Sequence, residues 1–326
     1  MADRIRIGVV GVGSMGALHA RVIAARDDTE LAWVADPAED AGRRVAERYG
    51  SRWLPVGDPG SVNALVIAAP TELHTALAMP VVDAGIPLLL EKPLAARYEE
   101  AEALVARADA AGSVLMCGLL ERFNPAVRTA AEIARDPVHV TTARHSPYAD
   151  RIVTGVAGDL LIHDVDLVLR LFGAPPRRVT GTASVLDARS RHDAEDVVEA
   201  TLQFADGGIA ALSASRLAQR KVRMLMISEI DRSIEVDLLR QDVTVHRHVH
   251  SPEFDEQAGY RQQTIIDVPM IRHPGEPLQL QMQHFVDLVR GDADPAVERS
   301  GILAPHAVVR DVIGAGPLVA SRRQLP

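Results

Sequence analysis

The chain has 326 residues, more than one hydrophobic core usually holds, which predicts two domains or one large α/β unit. Hydrophobic residues make up 47% and charged residues 24%, as in soluble globular proteins, whereas aromatic residues make up only 3%. The 44 Asp and Glu residues outnumber the 35 Lys and Arg residues, giving a net charge of −9. This composition does not fit a nucleic-acid-binding protein, which needs a basic surface for phosphate.

The stretches without charged residues are all too short to cross a bilayer, so no membrane span is expected. The N-terminus places Arg4 and Arg6 in a strand-like pattern and lacks the apolar segment of a signal peptide. The single cysteine, Cys117, cannot form an intrachain disulfide and is expected to be a core residue. We therefore expect a cytoplasmic protein.

The first 120 residues alternate short apolar runs with helical patterns, which is typical of parallel βαβ units. Strands are predicted over residues 5–10, 31–35, 62–68, 88–90 and 114–117. Helices are predicted over residues 17–25, 40–48, 76–84 and 99–111.

After Pro125 the pattern changes to many short alternating segments. Strands are predicted over residues 138–143, 197–204, 209–215, 222–228, 234–238 and 243–249. Helices are predicted over residues 126–135, 159–172 and 278–289, with a weaker one from residue 306. Asp206, Gly207 and Gly208 favour a hairpin turn. This half is expected to be an α+β domain with a large, mainly antiparallel sheet.

A glycine-rich turn directly follows the first predicted strand and opens the first predicted helix. Its glycines allow a tight turn and the close approach of a dinucleotide pyrophosphate. Asp36 ends the second predicted strand, where a carboxylate would accept hydrogen bonds from the adenosine ribose. Because Pro37 follows instead of an arginine that could bind a 2′-phosphate, NAD is favoured over NADP. The cofactor-binding residues expected here are Gly11, Gly13, Ser14, Met15, Gly16 and Asp36.

Further cofactor contacts are expected where the next strand ends. Ala69, Pro70 and Thr71 follow the strand over residues 62–68, and ligands bind at the carboxyl ends of parallel strands. His74 lies three residues on. It either faces the cofactor or covers the start of the next helix.

Glu91, Lys92 and Pro93 follow the strand over residues 88–90. We expect Glu91 and Lys92 to lie at the cofactor edge of the sheet. Lys92 could reach the nicotinamide ribose and the reacting hydroxyl, where its charge would favour an alkoxide. The alternative is a salt bridge at the rim.

In the second half, Asp159, His163 and Asp166 recur at i, i+4 and i+7 and therefore share one face of the predicted helix. A histidine that titrates near neutrality can accept the proton in alcohol oxidation, and nearby carboxylates can orient it. The alternative is a half-exposed helix with a structural His–Asp pair. No further His or Cys lies at ligand spacing, so no metal site is expected.

These motifs occur in the order and spacing of the glucose-fructose oxidoreductase, inositol dehydrogenase and rhizopine-catabolism (Gfo/Idh/MocA) family, which the sequence resembles over almost its entire length. The resemblance implies a Rossmann domain in residues 1–120 and an α+β domain in residues 121–326 that binds substrate and forms oligomer contacts. It also implies hydride exchange between a nicotinamide and a sugar or cyclitol hydroxyl. Lys92, Asp159 and His163 match the family's catalytic positions.

Within the family, the sequence is most similar to members that act on the 3-position of nucleotide-linked sugars. The resemblance places five candidate substrate-binding residues: Arg122, Asn124, Arg144, Tyr148 and Asp166. The arginines could bind a diphosphate through bidentate hydrogen bonds, or they could form interdomain ion pairs.

The expected function is NAD-dependent oxidation of a secondary hydroxyl of a sugar by a homodimer or homotetramer. One alternative is an inositol or free-monosaccharide dehydrogenase. Another is a non-catalytic protein that senses the NAD/NADH ratio, since a Rossmann fold alone would permit this. The joint presence of Lys92, Asp159 and His163 argues against the sensor.

Overall fold

The computed structural model describes residues 4–149, 154–191, 194–250, 262–273, 275–315 and 319–323. The chain divides into two compact units, Met1–Leu120 with Pro277–Ala307, and Glu121–Glu276 with Val308–Pro326. The segment Pro277–Ala307 packs with the first unit, whereas the sequence pattern assigned it to the second domain.

The first unit is built on a six-stranded parallel sheet of order β3-β2-β1-β4-β5-β6. Its strands are β1 (Ile5–Val10), β2 (Thr29–Ala35), β3 (Arg52–Leu54), β4 (Ala64–Ile67), β5 (Leu88–Leu90) and β6 (Leu115–Cys117). The strand order reverses between β1 and β4, as in a Rossmann fold, and ligands bind at the carboxyl ends of strands around such a point. This confirms the predicted fold class of the first half, with β3 as an additional strand.

The central strands of this sheet are apolar because helices cover both faces. Every residue of β4, β5 and β6 is buried, including Cys117. The described part of the chain forms the α-helices α1 (Ser14–Ala24), α2 (Glu39–Tyr49), α3 (His74–Asp83), α4 (Tyr98–Ala111), α5 (Pro125–Ile133), α6 (Ile162–Phe172), α7 (Pro277–Arg290), α8 (Pro295–Ser300) and α9 (Leu303–Gly314). Helix α4 ends as predicted at Gly112, whose φ of +61° suits glycine.

The second unit contains a nine-stranded sheet of order β14-β13-β12-β11-β7-β10-β9-β8-β15. Its strands are β7 (His139–His145), β8 (Arg178–Asp187), β9 (Val197–Gln203), β10 (Ile209–Ser215), β11 (Val222–Ser228), β12 (Ser233–Asp237), β13 (Asp242–His250), β14 (Gln262–Asp267) and β15 (Val319–Arg323). All pairs are antiparallel except β7 with β10 and β8 with β15. The predicted mainly antiparallel sheet is confirmed.

One face of this sheet packs on the core of the second unit. Val198, Ala200 and Leu202 alternate with exposed residues along β9, as expected for a strand with one buried face. The rings of Phe172, at the end of α6, and Phe204 stack with centroids 3.9 Å apart.

The predicted single helix over residues 159–172 differs from the structure. A π-helical turn, Ala157–Leu161, precedes α6. The wider turn shifts Asp159 relative to an α-helical register, so the simple spacing of i, i+4 and i+7 does not hold for Asp159. Such turns are common where a helix carries functional side chains.

Within the described residues, none of the helices is long and apolar enough to span a membrane.

Candidate functional site

The glycine turn after β1 brings backbone segments unusually close together. Gly11 has a φ of +84°, and a Cβ there would lie 2.7 Å from the carbonyl oxygen of Ala68. A Cβ on Gly16 would overlap the carbonyl oxygen of Gly11. Gly13 instead faces open space, with nothing within 4 Å of its Cβ position. The turn therefore has both the close packing and the open space that a bound pyrophosphate needs.

The start of α1 has the electrostatic character of an anion site. Gly13 is the N-cap, no side chain caps the helix, and its first turn holds no acidic residue. The backbone N–H groups at a helix start, here those of Ser14 and Met15, can donate to phosphate oxygens. The predicted residues of this turn thus fit the phosphates of a dinucleotide.

Asp36 lies next to the glycine turn. One carboxylate oxygen, Oδ2, accepts a hydrogen bond from the backbone N–H of Val12 at 2.8 Å, and Oδ1 accepts one from Ala38, also at 2.8 Å. An ionised carboxylate has about four lone-pair positions. Asp36 can therefore hold the turn in place and still accept hydrogen bonds from a ribose.

His74 joins the ends of two neighbouring strands. Its buried ring lies between two backbone carbonyl oxygens, with Nε2 2.9 Å from that of Ala69 and Nδ1 2.9 Å from that of Pro93. The ring is covered and lies at the start of α3. Both oxygens can only accept, and a neutral ring carries one N–H, so the ring donates to one of the two carbonyls and contacts the other.

Glu91 is a buried carboxylate that pairs with a histidine inside the first unit. Its Oε1 lies 2.8 Å from Nε2 of His19, a buried residue of α1, and its Oε2 accepts the backbone N–H of Lys92 at 3.3 Å. A Cβ at Gly118 would lie 2.7 Å from Oε2, so the carboxylate packs directly on that glycine. The backbone at Lys92 is thus fixed from inside the unit.

Lys92 itself is half-buried and is the second residue after β5. Of the 35 Lys and Arg residues, only Lys92 and Lys221 are lysines. Because almost all other basic residues are arginines, the lysine at position 92 indicates that a compact ammonium group is needed there. The scarcity of lysine is visible in the amino-acid composition alone.

In the second unit, the polar residues of the π-helical turn and α6 form two groups that differ in burial. Asp159 and His163 are half-buried. Asp166 is 3% exposed, and its two oxygens accept hydrogen bonds from Nε and Nη2 of Arg122, both at 2.7 Å. Asp166 and Arg122 therefore form a buried bidentate ion pair.

Arg144 forms a second buried ion-pair cluster under the same helix. Its Nε and Nη2 donate to Oδ1 of Asp164 at 2.9 and 2.7 Å, and its Nη1 donates to Glu121 at 2.7 Å. The two carboxylates raise the pKa of Arg144 against the opposing effect of burial. Burial raises the pKa of Asp164, whose Oδ2 meets no donor among the described residues. Both arginines thus form ion pairs, and their partners lie within the second unit.

The other two predicted substrate residues also have internal contacts. Asn124 is buried, caps α5 by accepting the N–H of Ala126 at 3.1 Å, and donates to the carbonyl of Leu238 at 3.1 Å. Tyr148 is half-buried, with the guanidinium of Arg189 4.0 Å from its ring centroid. Among the described residues, no group of three His, Cys, Asp or Glu side chains is arranged to hold a metal ion.

Glu195 caps the helical segment that carries Asp159 and His163, a role the sequence pattern did not indicate. Its buried Oε1 accepts the backbone N–H of Ala157 at 2.7 Å. The carboxylate also occupies the space beside Gly155, where a Cβ would overlap it. Burial raises the pKa of Glu195, although the hydrogen bond from Ala157 opposes this.

We expect Glu195→Ala to reduce the free energy of unfolding by about 1–2 kcal/mol, because the first helical N–H loses its acceptor. Glu195→Gln keeps an acceptor and removes a buried charge, so it should match or exceed the wild type near neutral pH. The pKa of Glu195 is raised above 4.5 in the folded state, so the protein loses stability as the pH rises from 4.5 through the folded-state pKa and the carboxyl ionises. The gain from Gln should therefore disappear as the pH falls below 4.5, which urea unfolding at several pH values would measure.

Arg223 is a further residue that sequence reasoning missed. It lies directly opposite Arg144 across β7 and β11, and it donates to three neutral oxygens: the carbonyls of His145 and Val222 at 2.6 and 2.8 Å, and Oγ of Ser146 at 2.7 Å. Burial, and then the charge of Arg144, lowers the pKa of Arg223 to about 10. The nearby carboxylates of Asp164, Glu121 and Asp159 act in the opposite direction and raise this pKa.

Comparison with known proteins shows the family to which the chain belongs. A model described as an oxidoreductase family with an NAD-binding Rossmann fold matches residues 5–119, and a GFO/IDH/MocA C-terminal domain model matches residues 131–236. The chain is 34% identical to UDP-N-acetylglucosamine 3-dehydrogenase of Acidithiobacillus ferrooxidans, over 98% of this chain and 94% of that protein. It is 29% identical to inositol 2-dehydrogenase of Rhizobium meliloti, over 98% of each chain.

Solved structures extend the likeness to the fold. One structure of the A. ferrooxidans enzyme superimposes with a TM-score of 0.80 and 28% identity, covering 96% of this chain and 97% of that one. GenD2 from gentamicin A biosynthesis, solved in complex with NAD, gives a TM-score of 0.77 and 25% identity, covering 96% and 95% of the two chains.

The fold and the site define an NAD-binding oxidoreductase with a Rossmann domain. The chain belongs to the Gfo/Idh/MocA family, a family of NAD-dependent dehydrogenases that act on CH–OH groups of sugars and cyclitols.

Proposed function

We propose that this protein oxidises the 3-hydroxyl of a nucleotide-linked sugar and transfers the hydride to NAD. The main support for this proposal is the 34% identity with UDP-N-acetylglucosamine 3-dehydrogenase over 98% of the chain. The glycine turn, the start of α1 and Asp36 support the dinucleotide part of the proposal. Bound NAD supplies the hydride acceptor, and the residues below supply proton transfer and charge stabilisation.

His163 accepts the proton of the reacting hydroxyl, and Lys92 stabilises the developing alkoxide with its positive charge. Asp159 orients His163 and stabilises its protonated form. Asp166 is engaged by Arg122, so the orientation of His163 is assigned to Asp159 alone.

Arg122 and Arg144 support the catalytic helix in this proposal and do not bind the diphosphate. Each guanidinium already forms a bidentate or shared ion pair with buried carboxylates of that helix. The corresponding role in phosphate binding is proposed for Arg223, whose present partners are neutral oxygens.

The carboxylate of Asp36 should make the enzyme prefer NAD to NADP, because it would repel a 2′-phosphate. We expect the Kd for NADP to exceed that for NAD by about tenfold or more. Asp36→Asn should narrow this ratio while retaining one of the two backbone hydrogen bonds. Titration of both cofactors against the two proteins would measure it, and an unchanged ratio would contradict the role of the charge.

Assay of NADH formation with a substrate panel tests the proposed substrate class. Turnover is expected with UDP-N-acetylglucosamine, and Arg223→Ala should raise KM for it about tenfold or more while changing KM for a neutral cyclitol little. Turnover of inositol or glucose without any nucleotide sugar would instead support the second candidate, which the 29% identity to inositol 2-dehydrogenase favours. Cofactor binding with no turnover of any substrate would support a sensor.

A further inference from the structure

We propose that three buried histidines, His19, His74 and His306, act as positioning residues that hold the segment Glu91–Leu94 and so fix the place of Lys92. Each histidine comes from a different helix, α1, α3 and α9, and all three residues belong to the first unit. All three are at most 6% exposed. Together they bond the segment on both sides of Lys92, and we refer to them as the histidine clamp.

The clamp contacts Glu91, Pro93 and Leu94, the residues on either side of Lys92. Nε2 of His19 lies 2.8 Å from one oxygen of the Glu91 carboxylate. The other oxygen of Glu91 accepts a hydrogen bond from the backbone N–H of Lys92. Nδ1 of His74 lies 2.9 Å from the carbonyl oxygen of Pro93, and the clamp assigns the ring proton to Nδ1, which donates to that oxygen. His306 accepts the backbone N–H of Leu94 through Nε2 at 2.9 Å.

The tautomer of His306 follows from its partners. A backbone N–H can only donate, so Nε2 of His306 carries no proton. The ring proton therefore lies on Nδ1 and is donated to the carbonyl of Ile302 at 2.8 Å. The clamp thus uses a neutral ring whose two nitrogens have different, fixed roles.

The position of a lysine ammonium group depends on the backbone and on the side-chain rotamer. Fixing the backbone therefore removes one of the two sources of displacement. A displacement of about 1 Å at a reacting group can lower a rate about a hundredfold. His19 also connects the Lys92 segment to α1, which begins at the glycine turn. The clamp therefore places Lys92 relative to the cofactor-binding residues of the same unit.

Paired substitutions of His306 separate the two bonds. A glutamine reaches the position of Nε2 and can still accept the N–H of Leu94, whereas an asparagine reaches only the position of Nδ1 and keeps the partner Ile302. We expect His306→Asn to lower kcat about tenfold to a hundredfold and His306→Gln to retain most of it. His19→Asn and His19→Gln form a second pair. The glutamine reaches the position of Nε2 and can keep the hydrogen bond to Glu91, whereas the asparagine cannot. A residue needed only for folding would respond to both members of a pair.

A second readout does not depend on turnover. The chain has two lysines, so protein labelled with ¹³C at the lysine ε-carbon gives one NMR signal each for Lys92 and Lys221. Lys221→Arg identifies the signals. We expect the Asn variants to shift or broaden the Lys92 signal and leave that of Lys221 in place, while the Gln variants leave both near their wild-type positions.

Thr29→Val is the matched control, because it removes a buried hydrogen bond to the carbonyl of Ile23 elsewhere in the same unit. It should lower stability and leave kcat and the Lys92 signal unchanged. The clamp is overturned if the Asn variants keep both kcat and the Lys92 signal, if Thr29→Val changes them equally, or if both Asn variants fail to fold.

The inference rests on the proposed function only for the role of Lys92 in catalysis. An active Lys92→Ala variant would overturn that role, while the NMR comparison would still decide the clamp. An inactive Lys92→Ala together with active Asn variants would overturn the clamp alone.

Discussion

Lys92→Ala should lower kcat about a thousandfold, which is within the range for losing a group that stabilises charge or moves a proton in the transition state. The Kd for NAD should change by no more than about tenfold, because the glycine turn and Asp36 still hold the cofactor. Steady-state NADH formation and cofactor titration measure the two effects separately.

Lys92→Arg is the informative companion variant. It keeps the positive charge but replaces a compact ammonium with a planar group of different reach. We expect it to recover little of the lost rate. If Arg restored activity fully, charge alone would be sufficient, and a precisely placed ammonium group would not be required.

Arg144→Ala should reduce the free energy of unfolding by about 3–5 kcal/mol near neutral pH, because it leaves Asp164 buried without its ion-pair partner. Asp164 already has one oxygen without a donor among the described residues. The loss arises chiefly from the stranded charge, since a buried ion pair itself adds little net stability. Urea unfolding would measure it.

The pH dependence of this variant follows from the raised pKa of Asp164. A carboxyl whose folded-state pKa lies above its unfolded value of 3.8 is most stable in the fold when protonated, and it loses stability as the pH rises through the folded pKa. The defect in Arg144→Ala should therefore shrink as the pH falls toward 3.8. The double variant Arg144→Met with Asp164→Leu should recover most of the stability at neutral pH. A defect independent of pH would contradict this explanation.

Most of the fold could be predicted from the sequence because the strands are short apolar runs with clear boundaries. The strand Leu88–Leu90 is bounded by Pro87 and by the charged Glu91, and its limits were predicted correctly. The edge strand Arg52–Leu54 has no residue that is fully buried, so it is not an apolar run and could not be recognised as a strand. The π-helical turn at Ala157–Leu161 depends on a tertiary contact with Glu195, which local periodicity does not contain.

The candidate site was predictable where motifs carry it and not where burial decides the role. The glycine turn and Asp36 have fixed local spacing, and the structure brings them together. Arg122 and Arg144 had two open interpretations, since a guanidinium suits a diphosphate and a carboxylate equally. Only the positions of Asp164 and Asp166 show that these arginines are ion-paired. His19 and His306 are 72 and 212 residues from their partners Glu91 and Leu94, so no local pattern could pair them.

The most direct test of the proposed activity uses UDP-N-acetylglucosamine that carries deuterium at carbon 3, incubated with the protein and NAD. If the protein oxidises the 3-hydroxyl, the C–D bond breaks, the hydroxyl proton leaves through His163, and the deuterium appears in the reduced cofactor. Mass spectrometry of the cofactor would show this label in the wild type and its loss in Lys92→Ala. Reduced cofactor without deuterium, or no reduction with this substrate, would contradict oxidation at carbon 3.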